Sequence, residues 1–191
     1  MKLTKKAPTF ILIFTLLSSG VVKAETIVGK GFIEPGIALT FEAAARDSII
    51  PTGFYLEEEN TDVHIEALIT WTSGAPAGFP IGGHVGYLQA NVELINEQTG
   101  EQLFFALVPH LNLNDGLHYA QNVKLPGSAE NTFTLSFTIK PPTPGRLGLH
   151  KDWVAVFGEK FVEEKAFVYK RVNLTEAVQA RRKNKAFPHA P

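Results

Sequence analysis

The run from Thr132 to Ile139, "TFTLSFTI", changes character at every step: Phe133, Leu135, Phe137 and Ile139 alternate with Thr132, Thr134, Ser136 and Thr138. A period of two belongs to a β-strand with one face in a core and the other in water. Segments of the same kind recur: "GIALTFEAA", "TDVHIEALITW", "GYLQANVELI", "EQLFFALVP" and "KAFVYKRV". Each is short, rich in β-branched or aromatic residues, and set off by Gly, Pro or Asn clusters. "INEQTGEQ" reads as a hairpin turn in which Gly100 takes positive φ, and "KPPTPG" as a loop, because proline cannot donate to a sheet ladder. Strands at this spacing predict an all-β protein, an antiparallel β-sandwich of seven to nine strands.

The two ends differ from this body. Lys2, Lys5 and Lys6 precede an apolar run from Phe10 to Leu17, with Val22 and Ala24 at the small-residue positions of a cleavage site. That is the anatomy of a secretory signal peptide, so residues 1–24 are expected to be removed and the rest exported to the periplasm. The sandwich is expected over residues 25–172. Residues 173–191 read as a basic C-terminal tail, either a short helix from Thr175 to about Lys183 or a solvated, partly disordered segment.

An exported chain without cysteine has no disulfides to lean on, and here the single methionine is Met1. Any metal site in the body must therefore use nitrogen and oxygen donors. Residues 25–169 carry eight basic and eighteen acidic side chains, a balance that repels nucleic acid and attracts cations.

Five of the six histidines (His64, His84, His110, His118 and His150) fall within that body. In "TDVHIEALITW" the alternation places Val63, Ile65, Ala67, Ile69 and Trp71 on one face and Asp62, His64 and Glu66 on the other. An imidazole and a carboxylate two residues apart on a strand are close enough to share a cation, although the same pattern also suits a solvated polar face. In "NDGLHYAQNVKL" Asp115 and Gly116 make a turn, and the strand that follows directs His118 away from Leu117 and Tyr119. His150 ends the loop "PPTPGRLGLH".

The ordered set D-x-H-x-E, a hydrophobic hairpin, D-G-x-H-Y, then P-P followed by L-x-x-H-x-D resembles the periplasmic iron-transport proteins that accompany Ftr-type iron permeases. The resemblance runs from about Thr61 to Tyr169. It implies an immunoglobulin-like sandwich, a homodimer, and a site for copper and/or iron, with manganese or zinc as surrogates. By motif, the implied ligands are His64, Glu66, His118 and His150. The family also uses a methionine shortly before D-G-x-H-Y, where this chain reads "LVPHLNLNDGLHY". Pairing Pro109 with the family proline puts His110 in the methionine's place; pairing without a gap puts Leu111 there. Of the two, only histidine can be a ligand. The family's G-D-W is also altered, to "GGHVGY", which leaves the role of His84 open.

A cluster of imidazoles and one carboxylate prefers Cu(II), Zn and Ni over Fe(II), and loss of the methionine weakens Cu(I) in particular. Imidazoles that protonate near pH 6 would release metal in acid. The expected function is metal binding in high-affinity iron uptake, with delivery to an inner-membrane iron permease. The competing readings are a metal-dependent oxidase or hydrolase on the same cluster and a metal-free immunoglobulin-like interaction module.

Overall fold

The computed structural model describes residues 25–180, so the expected signal peptide and residues 181–191 of the tail lie outside the described residues. The strands are β1 (Glu25–Ile33), β2 (Ile37–Ala44), β3 (Val63–Trp71), β4 (Gln89–Asn96), β5 (Gln102–Asn112), β6 (Gly116–Val123), β7 (Thr132–Lys140) and β8 (Lys165–Asn173). The helical elements are α1 (Lys151–Phe157), α2 (Thr175–Gln179) and a single 3-10 turn, Glu58–Asn60. All strand pairs are antiparallel, in the spatial order β1-β2-β3-β6-β5-β4-β7-β8. The fold is the all-β sandwich that the alternation predicts.

Strand β5 belongs to both layers. Its first half, through Leu107, pairs with β4, and its second half, from Val108, pairs with β6. One layer therefore holds β1, β2, β3, β6 and the end of β5; the other holds the start of β5, β4, β7 and β8. The inward residues of the two layers meet in one core. Phe41 of β2 stacks on Phe137 of β7 with ring centroids 4.1 Å apart, and Phe133, Leu135, Phe137 and Ile139 are wholly buried. Side chains of this size contribute about 1.5–3 kcal/mol each on burial.

Strand β1 was not among the segments singled out in the sequence, because Gly29 and Gly31 interrupt its pattern and lower its strand propensity. Their absent side chains have a use. Rings from the opposite edge of the sandwich lie over them, Tyr169 over Gly29 and Phe167 over Gly31, where an added Cβ would collide with the ring. Tyr169 Oη donates to the Lys30 carbonyl at 2.7 Å and Lys165 Nζ to the Phe32 carbonyl at 2.9 Å, so side chains from β8 bridge the two edges. The sandwich is thereby nearly closed into a barrel, which covers strand edges that would otherwise pair with other chains.

The chain remains packed beyond residue 172. Leu174 and Ala177 belong to the core, and Ala180 is buried. Leu174, rather than Thr175, occupies the N-cap position of α2, because its side chain is drawn inside; the Thr175 hydroxyl instead donates to the Ala129 carbonyl at 2.9 Å. Gly100 has φ of 76°, as the hairpin reading required.

Replacing Gly29 with Ala should push the Tyr169 ring off β1 and cost about 1–3 kcal/mol, the usual range for overpacking. Urea unfolding of the variant checks this; a midpoint equal to that of the wild type would show that the ring is free to move aside.

Candidate metal centre

The site is built from β3 and the β5–β6 hairpin. On β3 the inward positions are taken by Val63, Ile65, Ala67 and Ile69, which turns His64 and Glu66 to the outer face. In β6 the same face carries His118, Ala120 and Asn122, because His64 pairs with Asn122 and Glu66 with Ala120. His110 of β5 stands directly opposite His118.

That last pairing is decided by the turn between the strands. Asn112 Oδ1 accepts from the Asn114 and Asp115 amides at 2.8 and 2.7 Å, and Asn112 Nδ2 donates to Asp115 Oδ2 at 2.7 Å. Gly116 closes the turn with φ of 66°, a conformation that favours glycine. With Asn112 and Gly116 paired, His110 meets His118 and Leu111 meets Leu117 on the opposite face, where Leu111 is exposed. Of the two residues competing for the family's methionine position, His110 is the one turned toward His64 and His118.

Although these residues lie on the outer face of their layer, they are not in water. His64, Glu66 and His118 are 2%, 0% and 1% exposed. The chain between β2 and β3 folds across them: Asn122 Nδ2 donates to the carbonyls of Asp47 and Leu56, both at 2.8 Å, and the Tyr55 ring meets His110 edge-on with centroids 5.0 Å apart. His110 as a whole residue is half-buried, but its Nε2 is shielded from solvent and has no hydrogen-bond partner.

Ring nitrogens of His64, His110 and His118 all lie within 4.8 Å of one another. The hydrogen bonds fix which ring nitrogens donate. Asn122 uses its amide nitrogen on two carbonyls, so its oxygen faces His64 Nδ1 at 2.8 Å, and that nitrogen must donate. Likewise His118 Nδ1 lies 3.0 Å from the Gly116 carbonyl, which can only accept. Both rings therefore present Nε2 as a lone pair. Two imidazoles on one metal hold their nitrogens about 2.0–2.1 Å from it, so they stand at most about 4.2 Å apart. Small side-chain movements bring the trio within that range. The orphaned Nε2 of His110, out of water and facing two imidazoles, is the feature that a metal ion would satisfy.

Glu66 adds a carboxylate, its Oε1 3.6 Å from His64 Nε2. Glu42 is the register partner of Glu66 on β2. Burial pushes its carboxyl above the usual range, Glu25 and Asp115 add to the rise, and Lys30 opposes it. This concentration of acid groups favours a cation nearby. Asp62, on the same face of β3, is committed elsewhere: it accepts from Lys124 Nζ and the Leu125 amide, both at 2.9 Å.

His150 does not join the trio. It is exposed, sits at the N-cap position of α1, and lines a cleft of about 710 Å³ with His84, Trp71, Phe79 and Trp153. His84 lies between that cleft and the centre. Its ring is 5.1 Å from that of Tyr119, and its pKa is lowered by burial and then by His118, with the Leu117 carbonyl opposing. Tyr119 anchors the intervening loop by donating to the Val85 carbonyl at 2.9 Å and accepting from the Leu88 amide at 3.0 Å. Asn122 was missed in the sequence, yet its position was available: it stands four residues after His118 on a strand and so shares its face.

The chain resembles known proteins over most of its length. Residues 22–174 match the Fe2+ transport protein family. A UPF0423 protein of Brucella abortus is 28% identical over 173 residues, covering 87% of this chain and 93% of that protein. Among solved structures, a copper-bound variant of FetP from uropathogenic Escherichia coli strain F11 superposes with a TM-score of 0.63 at 26% identity. The match covers 78% of this chain and 99% of that one. Copper-reconstituted P19 of Campylobacter jejuni also scores 0.63 at 26% identity, over 78% and 95% of the respective chains.

Burial lowers the His110 pKa from 6.5 to about 4, with the charge of His118 next in size and Asp47 opposing. His110 thus keeps its lone pair at pH values where an ordinary imidazole is protonated, which moves its share of acid-driven metal release well below pH 6. In the metal-free protein the unfolded chain takes up this proton below about pH 6.5, while the folded chain resists until about pH 4. Stability should therefore fall as pH drops through that window. Melting curves of the metal-free protein should show the decline, and His110→Ala should flatten it; an unchanged pH slope in the variant would remove His110 as its source.

Proposed function

We propose that this chain, which belongs to the Fe2+ transport protein family, is a periplasmic metal carrier of high-affinity iron uptake. In this reading His64, His110 and His118 hold the ion through their inward nitrogens, and Glu66 supplies a carboxylate beside them. The observation that carries it is the buried, unpartnered Nε2 of His110 within reach of two other imidazoles. The copper in the FetP and P19 structures supports the same use of the fold.

Three imidazoles suit Cu(II) and Zn better than Fe(II), so selection of iron rests on supply or on a partner rather than on raw affinity. His150 stays outside this minimal ligand set. Export, association as a homodimer and hand-over to an inner-membrane iron permease complete the proposal; export rests on the signal-peptide pattern of residues 1–24, and the other two rest on the family alone. We read the protein as a carrier and not as an enzyme, with the ion as cargo.

Calorimetric titration of the exported chain with Cu(II), Zn and Mn tests the centre. Cu(II) and Zn should bind, and His118→Ala should weaken Cu(II) by at least the 10–100-fold that loss of an outer partner typically costs. Unchanged affinity in the variant would place the site elsewhere. Turnover of Fe(II) by the loaded protein in an oxygen-consumption assay would make it an oxidase instead of a carrier.

A further inference from the structure

Asn122 is a buried side chain, 4% exposed, whose amide faces two different parts of the molecule. Its oxygen accepts from His64 Nδ1 at 2.8 Å, and its nitrogen donates to the Asp47 and Leu56 carbonyls. The first contact aims a ring at the three-histidine centre. The other two hold down both ends of the segment that roofs it, with Tyr55 between them against His110. We propose that Asn122 is a positioning residue that couples occupancy of the metal centre to closure of residues 45–60 over it; this rests on the metal-binding reading above.

The coupling follows from the polarity of a single amide. A cation on His64 Nε2 draws charge from the ring and makes its Nδ1–H a stronger donor. The Asn122 oxygen then carries more of the bond, and its N–H groups become better donors to the two carbonyls, as in any hydrogen-bond chain of aligned dipoles. Metal should therefore tighten the roof. By reciprocity, a closed roof favours metal.

The middle of the segment is mostly exposed. Besides the Asn122 contacts, Arg46 Nη1 donates to the Thr61 carbonyl at 3.2 Å, and the Thr61 hydroxyl donates to the Glu57 carbonyl at 2.9 Å and to the Leu56 carbonyl at 3.4 Å. Its large side chains Ile50 and Phe54 are 85% and 80% exposed, so they contribute little burial to hold it closed. A segment with little buried apolar surface opens at low cost, so two donors from one amide bear directly on whether it stays shut.

Two substitutions separate the halves of the amide. Asn122→Ala removes both, whereas Asn122→Asp keeps an acceptor for His64 Nδ1, as carboxylates commonly provide behind metal-bound histidines, but removes the donors to the roof. The measurements are Cu(II) affinity by calorimetry and the rate of chymotrypsin cleavage at Phe54 and Tyr55, mapped by mass spectrometry with and without Cu(II). Melting curves confirm that each variant is folded.

In the wild type, Cu(II) should slow cleavage. Asn122→Ala should bind Cu(II) 10–100-fold more weakly, and Asn122→Asp should recover part of that loss while its roof is cut at the same rate with or without metal. Wild-type affinity in Asn122→Ala, or copper protection in Asn122→Asp equal to that of the wild type, would overturn the coupling and leave the metal centre standing. Failure of the wild type to bind Cu(II) would overturn both.

Discussion

The register of β5 against β6 is the constraint on which the centre depends. Side chains on a strand alternate with a period of two, so a slip of one residue would exchange His110 for Leu111 and take an imidazole out of the cluster. The turn from Asn112 to Gly116 prevents that slip, with the Asn112 side chain bonded to the turn and Gly116 in a conformation few other residues adopt. A short polar turn, only partly buried, thereby sets the chemistry of a buried site two residues beyond each of its ends.

Burial does the rest. Imidazoles on the outer face of a sheet would ordinarily be solvated and would titrate near neutrality. Here the segment between β2 and β3 removes water from them, and desolvation favours the neutral, lone-pair form of His110. Asn122 and the Gly116 carbonyl select the tautomers of His64 and His118 in the same sense, with Nδ1 as the donor in both rings. Burying three imidazoles has a cost in the metal-free protein, and the acidic neighbours around Glu42 and Glu66 indicate the sign of the charge that would offset it.

Much of the sandwich was legible because inward and outward positions differ in chemistry. β7 and β3 announced both their strand character and their orientation, and the Asp62, His64, Glu66 face was assigned from alternation alone. β1 was not, since its glycines serve the rings of Tyr169 and Phe167, which lie more than a hundred residues away. The start of the tail takes the short helix that was one of its two readings, but its packing is not legible locally: Leu174 and Ala177 look unremarkable until a cavity exists to receive them. For the site, the motifs marked His64, Glu66, His118 and His150, yet only the fold separates His150, on an exposed cleft, from the three rings that converge.

What the sequence by itself determined is local: which segments are strands, which face each side chain takes, where the chain turns, and that a metal site without sulfur must rely on histidine and carboxylate. These follow from steric preferences and alternation within a few residues. Only the tertiary structure decided that His64 faces the His110–His118 pair, that the 45–60 segment covers the outer face, and that Asn122 links that cover to His64. Those outcomes depend on pairings across some sixty residues of chain, such as His64 with Asn122, whose geometry no local pattern encodes.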